Sequence, residues 1–149
     1  MSDPGTDIAD GPEPVTVLAG AKVLVIDDSN TIRRSAEMFL RQAGYEVILA
    51  EDGFDALAKI SDHAPQVIFV DIMMPRLDGY QTCALIKQNP TLKSTPVIML
   101  SSKDGVFDRA RGRLAGSDRY LTKPFTREAL LEAVKEHAGR ASDPSPSSS

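Results

Sequence analysis

The sequence predicts an α/β fold, a five-stranded parallel sheet with helices on both faces. Two observations carry this expectation. Five short apolar runs alternate with segments of helical periodicity, the pattern of a sheet whose strands are joined by crossover helices. The runs are also continuously apolar rather than alternating, as strands covered on both sides must be. They fall at 23–26 (VLVI), 47–50 (VILA), 67–70 (VIFV) and 97–100 (VIML), with a weaker one at Tyr120 and Leu121.

The helices follow in order. Ile32, Ala36, Phe39, Leu40 and Ala43 recur at helical spacing, and Gly44 stands where a helix C-terminus favours glycine. Phe54, Leu57, Ala58 and Ile60 form a second stripe, with Asp52 placed to cap it. A third helix is predicted over 79–88, closed by Asn89 and Pro90. The fourth, over 106–115, carries Val106, Ala110 and Leu114 four residues apart and ends at Gly116. Gly112 weakens it by about 1 kcal/mol relative to alanine. Thr126 is placed to cap a fifth helix bearing Leu130, Leu131, Ala133 and Val134.

One domain, 21–138, accommodates all of these elements. Residues 1–20 hold three prolines and several acids with few apolar side chains, and are expected to be a disordered acidic arm. Residues 139–149 are rich in Ser and Pro and are expected to be a flexible tail. The segment after 138 is too short for a DNA-binding or enzymatic output domain, so the expected output is contact with another protein.

Charge and cysteine content narrow the function classes. The formal charge is −4, and Asp3, Asp7, Asp10 and Glu13 account for it. A balanced remainder offers no overall basic field to a nucleic-acid backbone, so no nucleic-acid partner is expected. Cys83 is the only cysteine, which excludes an intramolecular disulfide and a thiolate metal cluster and fits a cytoplasmic location. No stretch has the length of a membrane span, and the N-terminus lacks the basic start and apolar centre of a secretory signal.

In an open parallel sheet, ligands bind at the carboxyl ends of the strands, where strand order reverses. The residues just past the runs are Asp27 and Asp28, Glu51 and Asp52, Asp71, Ser101 and Ser102, and Thr122 and Lys123. With the common 2-1-3-4-5 order, Asp27, Asp28 and Asp71 share one pocket, bordered by Ser101 and Lys123. Three close carboxylates repel one another by about 4 kcal/mol per pair at an effective dielectric near 20. A cation must offset this, either the Lys123 ammonium or a hard, oxygen-ligated ion such as Mg2+. Such a site suits phosphate chemistry: Asp71 as nucleophile forming an aspartyl phosphate, with Lys123 and Ser101 stabilising the phosphoryl oxygens.

Taken singly, each of these residues also has a plain structural reading. An Asp after a strand is commonly a helix cap, and only the coincidence of several at one edge favours a site. His63 and His137 are expected at the surface or in packing, and Cys83 in the core. Met73 and Met74 read as packing. Lys103, Arg109, Arg111, Arg113 and Arg119 form a basic run, either a solvated helix face or a docking surface for an acidic partner.

The motifs VLVIDDS, FVDIMMPRLDGY, VIMLSSK and YLTKPF resemble those of response regulator receiver domains, the CheY-like family with a flavodoxin-like fold. The resemblance covers 22–138. It implies a histidine kinase as phosphodonor, Asp71 as phosphoacceptor, and Mg2+ held by Asp28, Asp71 and the backbone carbonyl of Met73, with Asp27 acting through water. It further implies that Ser101 and Lys123 hold the phosphoryl oxygens, that Tyr120 changes rotamer as part of the switch, and that the Lys123–Pro124 bond is cis. RRSAEMFL, DGFDALAKI, VDIMMPRLDGYQTCALIK and STPVIMLSSKDG closely resemble receivers of type IV pilus twitching-motility systems, implying a pilus-motility protein as downstream target. Met73 and Lys103 border the path of an attacking water, so the lifetime of the aspartyl phosphate does not carry over from relatives.

Two other functions compete with a switch. A phosphotransfer intermediate or phosphate sink would use the same residues. A magnesium-dependent phosphohydrolase with an aspartyl nucleophile needs a second acid two residues further on, and Met73 stands there. No GxxxxGK[ST] pattern is present for a nucleotide hydrolase. The expectation is therefore a signalling protein rather than an enzyme.

Overall fold

The computed structural model describes residues 20–102 and 107–141, the last four by backbone alone. The elements alternate strictly: β1 (Lys22–Ile26), α1 (Asn30–Gln42), β2 (Glu46–Ala50), α2 (Gly53–His63), β3 (Val67–Asp71), α3 (Gly79–Gln88), β4 (Val97–Ser102), α4 (Arg109–Ala115), β5 (Arg119–Lys123) and α5 (Arg127–Ala141). A single 3₁₀ turn, Pro90–Leu92, follows α3. The five strands are parallel in the order β2-β1-β3-β4-β5. The predicted fold class and strand order are those observed.

The two-sided burial inferred from the strand runs has a direct counterpart. Leu24 and Ile26 of β1 enter a layer with Ala56, Ile60, Cys83 and Ile86, so α2 and α3 cover that face, joined by Ala115 of α4. Val23 and Val25 enter the opposite layer with Ala36, Leu40, Leu130 and Val134, which belong to α1 and α5. Each fully buried aliphatic chain contributes about 1.5–3 kcal/mol. Both faces of every central strand therefore had to be apolar.

Helix ends follow the predicted chemistry. Asp52 Oδ1 accepts the Asp55 N–H at 2.7 Å and starts α2. Thr126 Oγ1 accepts from the Ala129 N–H at 3.0 Å at the head of α5. Gly44 follows α1 at φ +96°, a conformation that side chains resist. At the start of α3, Asp78 and Gln81 form a capping box.

Two stripes need correction. In α4, Leu114 is 88% exposed and Ala110 is also exposed, while Gly112 and Ala115 face inward. The reason is space: a Cβ on Gly112 would stand 2.6 Å from the Phe107 ring, so the glycine read as a weakness is the contact point. In α2, Phe54 is 54% exposed and Ala58 is exposed, and the buried face is Gly53, Ala56 and Ile60, with Leu57 partly buried. Phe54 instead lies under the Arg76 guanidinium, 5.2 Å from its ring centre. Helix α4 begins at Arg109, and Val106 lies outside the described residues, as do Lys103, most of the predicted 1–20 arm and most of the 139–149 tail.

Cys83 is fully buried with its Sγ 3.3 Å from the Ala115 carbonyl, and burial pushes its thiol up to about 12. The native protein should therefore leave it unmodified by a thiol reagent at neutral pH, with labelling across a urea gradient following the unfolding transition. Rapid labelling without denaturant would contradict this packing. His137 is buried and His63 partly buried, as structural roles require. The Lys123–Pro124 bond is cis. Among the described residues no helix is long and apolar enough to cross a membrane.

Candidate functional site

Register brings the acidic residues together. Ile26 of β1 lies beside Val70 of β3, so the next residues, Asp27 and Asp71, emerge side by side at the carboxyl edge. Both are buried, at 0% and 2% exposure, while Asp28 is exposed. Carboxylate oxygens of the three all lie within 4.8 Å of one another. Lys123, ending β5, crosses the edge and sets its Nζ 3.1 Å from Asp27 Oδ2 and 3.0 Å from Asp71 Oδ1.

The backbone fixes both buried acids. Asp27 Oδ1 accepts the Ser29 N–H at 2.8 Å, and Arg33 donates to the Asp27 carbonyl. Asp71 Oδ1 also accepts the Met73 N–H at 3.2 Å. Asp71 Oδ2 accepts no hydrogen bond among the described residues, which leaves its lone pairs for a reacting group. Burial, with the Asp27 charge beside it, raises the Asp71 carboxyl from 3.8 to about 6 against the opposing pull of Lys123. Burial alone would lower the Lys123 ammonium, but the hydrogen bond to Asp71 and the charge of Asp27 outweigh it and raise the group. Both shifts express one imbalance: two buried carboxylates share the Lys123 ammonium.

That imbalance is the test of whether a metal fits. The donor set is all oxygen, two of its carboxylates are buried, and one has its ionisation opposed by burial and a like charge. A hard divalent cation matches that set and would relieve the repulsion.

The remaining predicted residues divide. Ser101 is buried at the end of β4 on the same edge, but its Oγ lies 3.5 Å from the Ser102 carbonyl rather than bonding to Asp71 or Lys123. Met73 is 72% exposed and Met74 buried. Tyr120 lies apart from the acids: its ring stacks on Phe107 at 4.4 Å and its hydroxyl accepts from Arg109 at 3.2 Å. Phe107 in turn faces Tyr80 at 6.1 Å, so an aromatic row runs from α3 to β5. The basic run is no uniform patch. Arg111 covers the Tyr80 ring and pairs with Asp78, and Arg119 pairs with Glu136. Arg109, Arg113 and Arg119 line a groove of about 160 Å³ with Phe107 and Tyr120.

Sequence reasoning missed Arg33 and Arg76. Arg76 Nη2 donates to Asp52 Oδ2 at 3.0 Å. A cation five residues past a strand-end acid carries no signal until the loop is folded.

The model of the response regulator receiver domain matches residues 23–135. The chain belongs to the response regulator receiver family. Protein PilG of Pseudomonas aeruginosa is 71% identical over 118 residues, spanning 79% of this chain and 87% of its own. The transcriptional regulator PhoP of Bacillus subtilis is 38% identical, and this receiver spans about half of it, 52%. Among solved structures, the chemotaxis protein CheY4 of Vibrio cholerae superposes with a TM-score of 0.76 at 36% identity, covering 80% of this chain and 99% of that one. The receiver domain of the sensor histidine kinase PA1611 of P. aeruginosa, solved with magnesium coordinated in its active-site cleft, gives 0.74 at 30% identity, covering 81% of this chain and 99% of that one.

Proposed function

We propose that this receiver accepts a phosphoryl group on Asp71 from the phosphohistidine of a histidine kinase and, once modified, changes its contacts with a pilus-motility protein. The observation that carries the reading is Asp71 itself, a buried carboxylate held at the sheet edge by Lys123 and the Met73 N–H with one oxygen left for attack. In the transfer, that oxygen bonds to phosphorus as the phosphorus–nitrogen bond of the donor breaks. Asp27, Asp28, Asp71 and the Met73 carbonyl would hold Mg2+, which supplies positive charge to the phosphoryl oxygens when bound. Lys123 neutralises a further oxygen. Ser101, one residue past the β4 neighbour of Asp71, turns its hydroxyl to another.

Rotation of Ser101 couples the edge to the β4–β5 surface, where Tyr120 and the arginine-lined groove face outward, and a change in the Tyr120 rotamer presents a different surface to the target. The likeness to PilG supports placing the output in twitching motility. Intact-mass measurement after incubation with magnesium and a small phosphodonor tests the core of the proposal. The wild type should gain one phosphoryl group and Asp71→Asn none. An equal gain in both removes Asp71 from the role.

A further inference from the structure

Between β3 and α3 the chain forms a loop, residues 72–78, tied at its base and at its tip. At its base the Gly79 N–H donates to the Ile72 carbonyl at 2.9 Å. At its tip the Leu77 N–H donates to the Pro75 carbonyl at 2.7 Å. This bond spans two residues, and the residue between them, Arg76, has φ +68°. The pair of features describes a γ-turn of the rare, strained hand. Strained backbone of this kind persists only where its surroundings over-determine it.

The surroundings here are the first turn of α2. The Arg76 guanidinium donates to Asp52 Oδ2 at 3.0 Å and lies over the Phe54 ring at 5.2 Å. The other oxygen, Asp52 Oδ1, caps α2 through the Asp55 N–H, so the anchor is itself fixed. Next to it Leu77 packs against Gly53 so closely that a Cβ there would meet its Cδ2 at 2.7 Å. Three residues before Arg76 stands Met73, whose N–H reaches Asp71 Oδ1.

We infer that Arg76 is a positioning residue for the site: by clamping the strained turn to Asp52 and Phe54, it holds Met73 where its N–H orients Asp71 and its carbonyl serves the cation. The inference rests on the magnesium reading given above for the carbonyl and on geometry alone for the N–H. The Arg76 side chain is 64% exposed, and an exposed ion pair adds little to global stability. Its effect therefore appears at the loop and not in the fold.

The test uses the full chain stripped of metal by a chelator and then titrated with magnesium by calorimetry, with hydrogen exchange of the Met73 amide followed in the metal-free state. Asp52→Asn keeps a capping oxygen on α2 but removes the charge that faces Arg76. Arg76→Ala and Asp52→Asn should each weaken magnesium on the order of tenfold, the low end for groups that orient metal ligands. The double variant should lose no more than either alone, and Arg76→Lys should recover part of the loss. Met73 exchange should quicken in Arg76→Ala, while the urea midpoint in chelator stays close to wild type. Wild-type affinity in every variant, or losses that multiply, would overturn the clamp. Absence of magnesium binding by the wild type would sink the metal reading, and the Met73 amide then decides the clamp alone: unchanged exchange in Arg76→Ala overturns it.

Discussion

Replacing Lys123 with methionine is expected to destabilise the metal-free protein by about 3 kcal/mol or more at neutral pH, the usual cost of leaving a buried charge without its partner. The ammonium touches both Asp27 and Asp71, and these carboxylates are almost fully buried. Without it two like charges face each other in the low-dielectric edge. The pH dependence gives the sign. Folded Asp71 titrates at about 6, above its ordinary 3.8, so the folded state holds this proton more tightly than the unfolded chain does. Its stabilising contribution is complete below about 4 and is lost as pH rises through 6. Removing Lys123 deletes two of the three influences that lower the Asp71 value, leaving only the Met73 N–H, so the loss of stability extends to higher pH. Urea unfolding in chelator should show the variant near wild type in mild acid and well below it at neutral pH. Magnesium should restore part of the difference, because a ligand that binds only the folded state adds to its stability. A cost independent of pH would show that Lys123 acts through packing and not charge.

The second large effect is steric. A Cβ at Gly79 would stand 2.4 Å from the Asp71 carbonyl oxygen and 2.6 Å from the Ile72 Cα. Neither neighbour can swing aside, since both are backbone of the strand end and the loop. Gly79→Ala is therefore expected to cost about 3 kcal/mol, the upper part of the range for overpacking. The same displacement pushes α3 away from the residue that carries the site, so phosphoryl uptake on Asp71 should fall with stability. An alanine variant with a wild-type urea midpoint would mean that the loop yields more easily than its hydrogen bond from Gly79 to Ile72 implies.

What could be read in advance follows from how locally each feature is encoded. The strands were legible because burial on both faces demands unbroken apolar runs, as at Val67–Asp71. The caps at Asp52 and Thr126 were legible because the bond is made within three residues. The acidic edge was legible because parallel register delivers strand ends to one place. Side-chain faces were less so. Leu114 looks like a core residue, yet α4 approaches the domain through Gly112, where absence of a side chain is the determinant. Tyr120 was expected among the switch residues, but the stack that holds it depends on Phe107 arriving from another segment. The Arg76 turn is subtler still, since a positive φ at arginine has no compositional mark.

Helix α4 is short. Of its seven residues only a glycine and an alanine are buried, its other contacts being those of Arg109 and Arg111 at the surface, and its largest apolar side chain, Leu114, stays in water. Burial energy scales with apolar area, and little area is buried at such a contact. The helix is therefore held by a shallow minimum, and sliding it along the sheet forfeits far less than moving α1 or α5, whose leucines and valines fill the opposite layer. A coupling of about 1–3 kcal/mol, the ordinary range between linked sites, is enough to redistribute such an element between two seats. Sparse packing at this corner sets a low threshold for motion of α4.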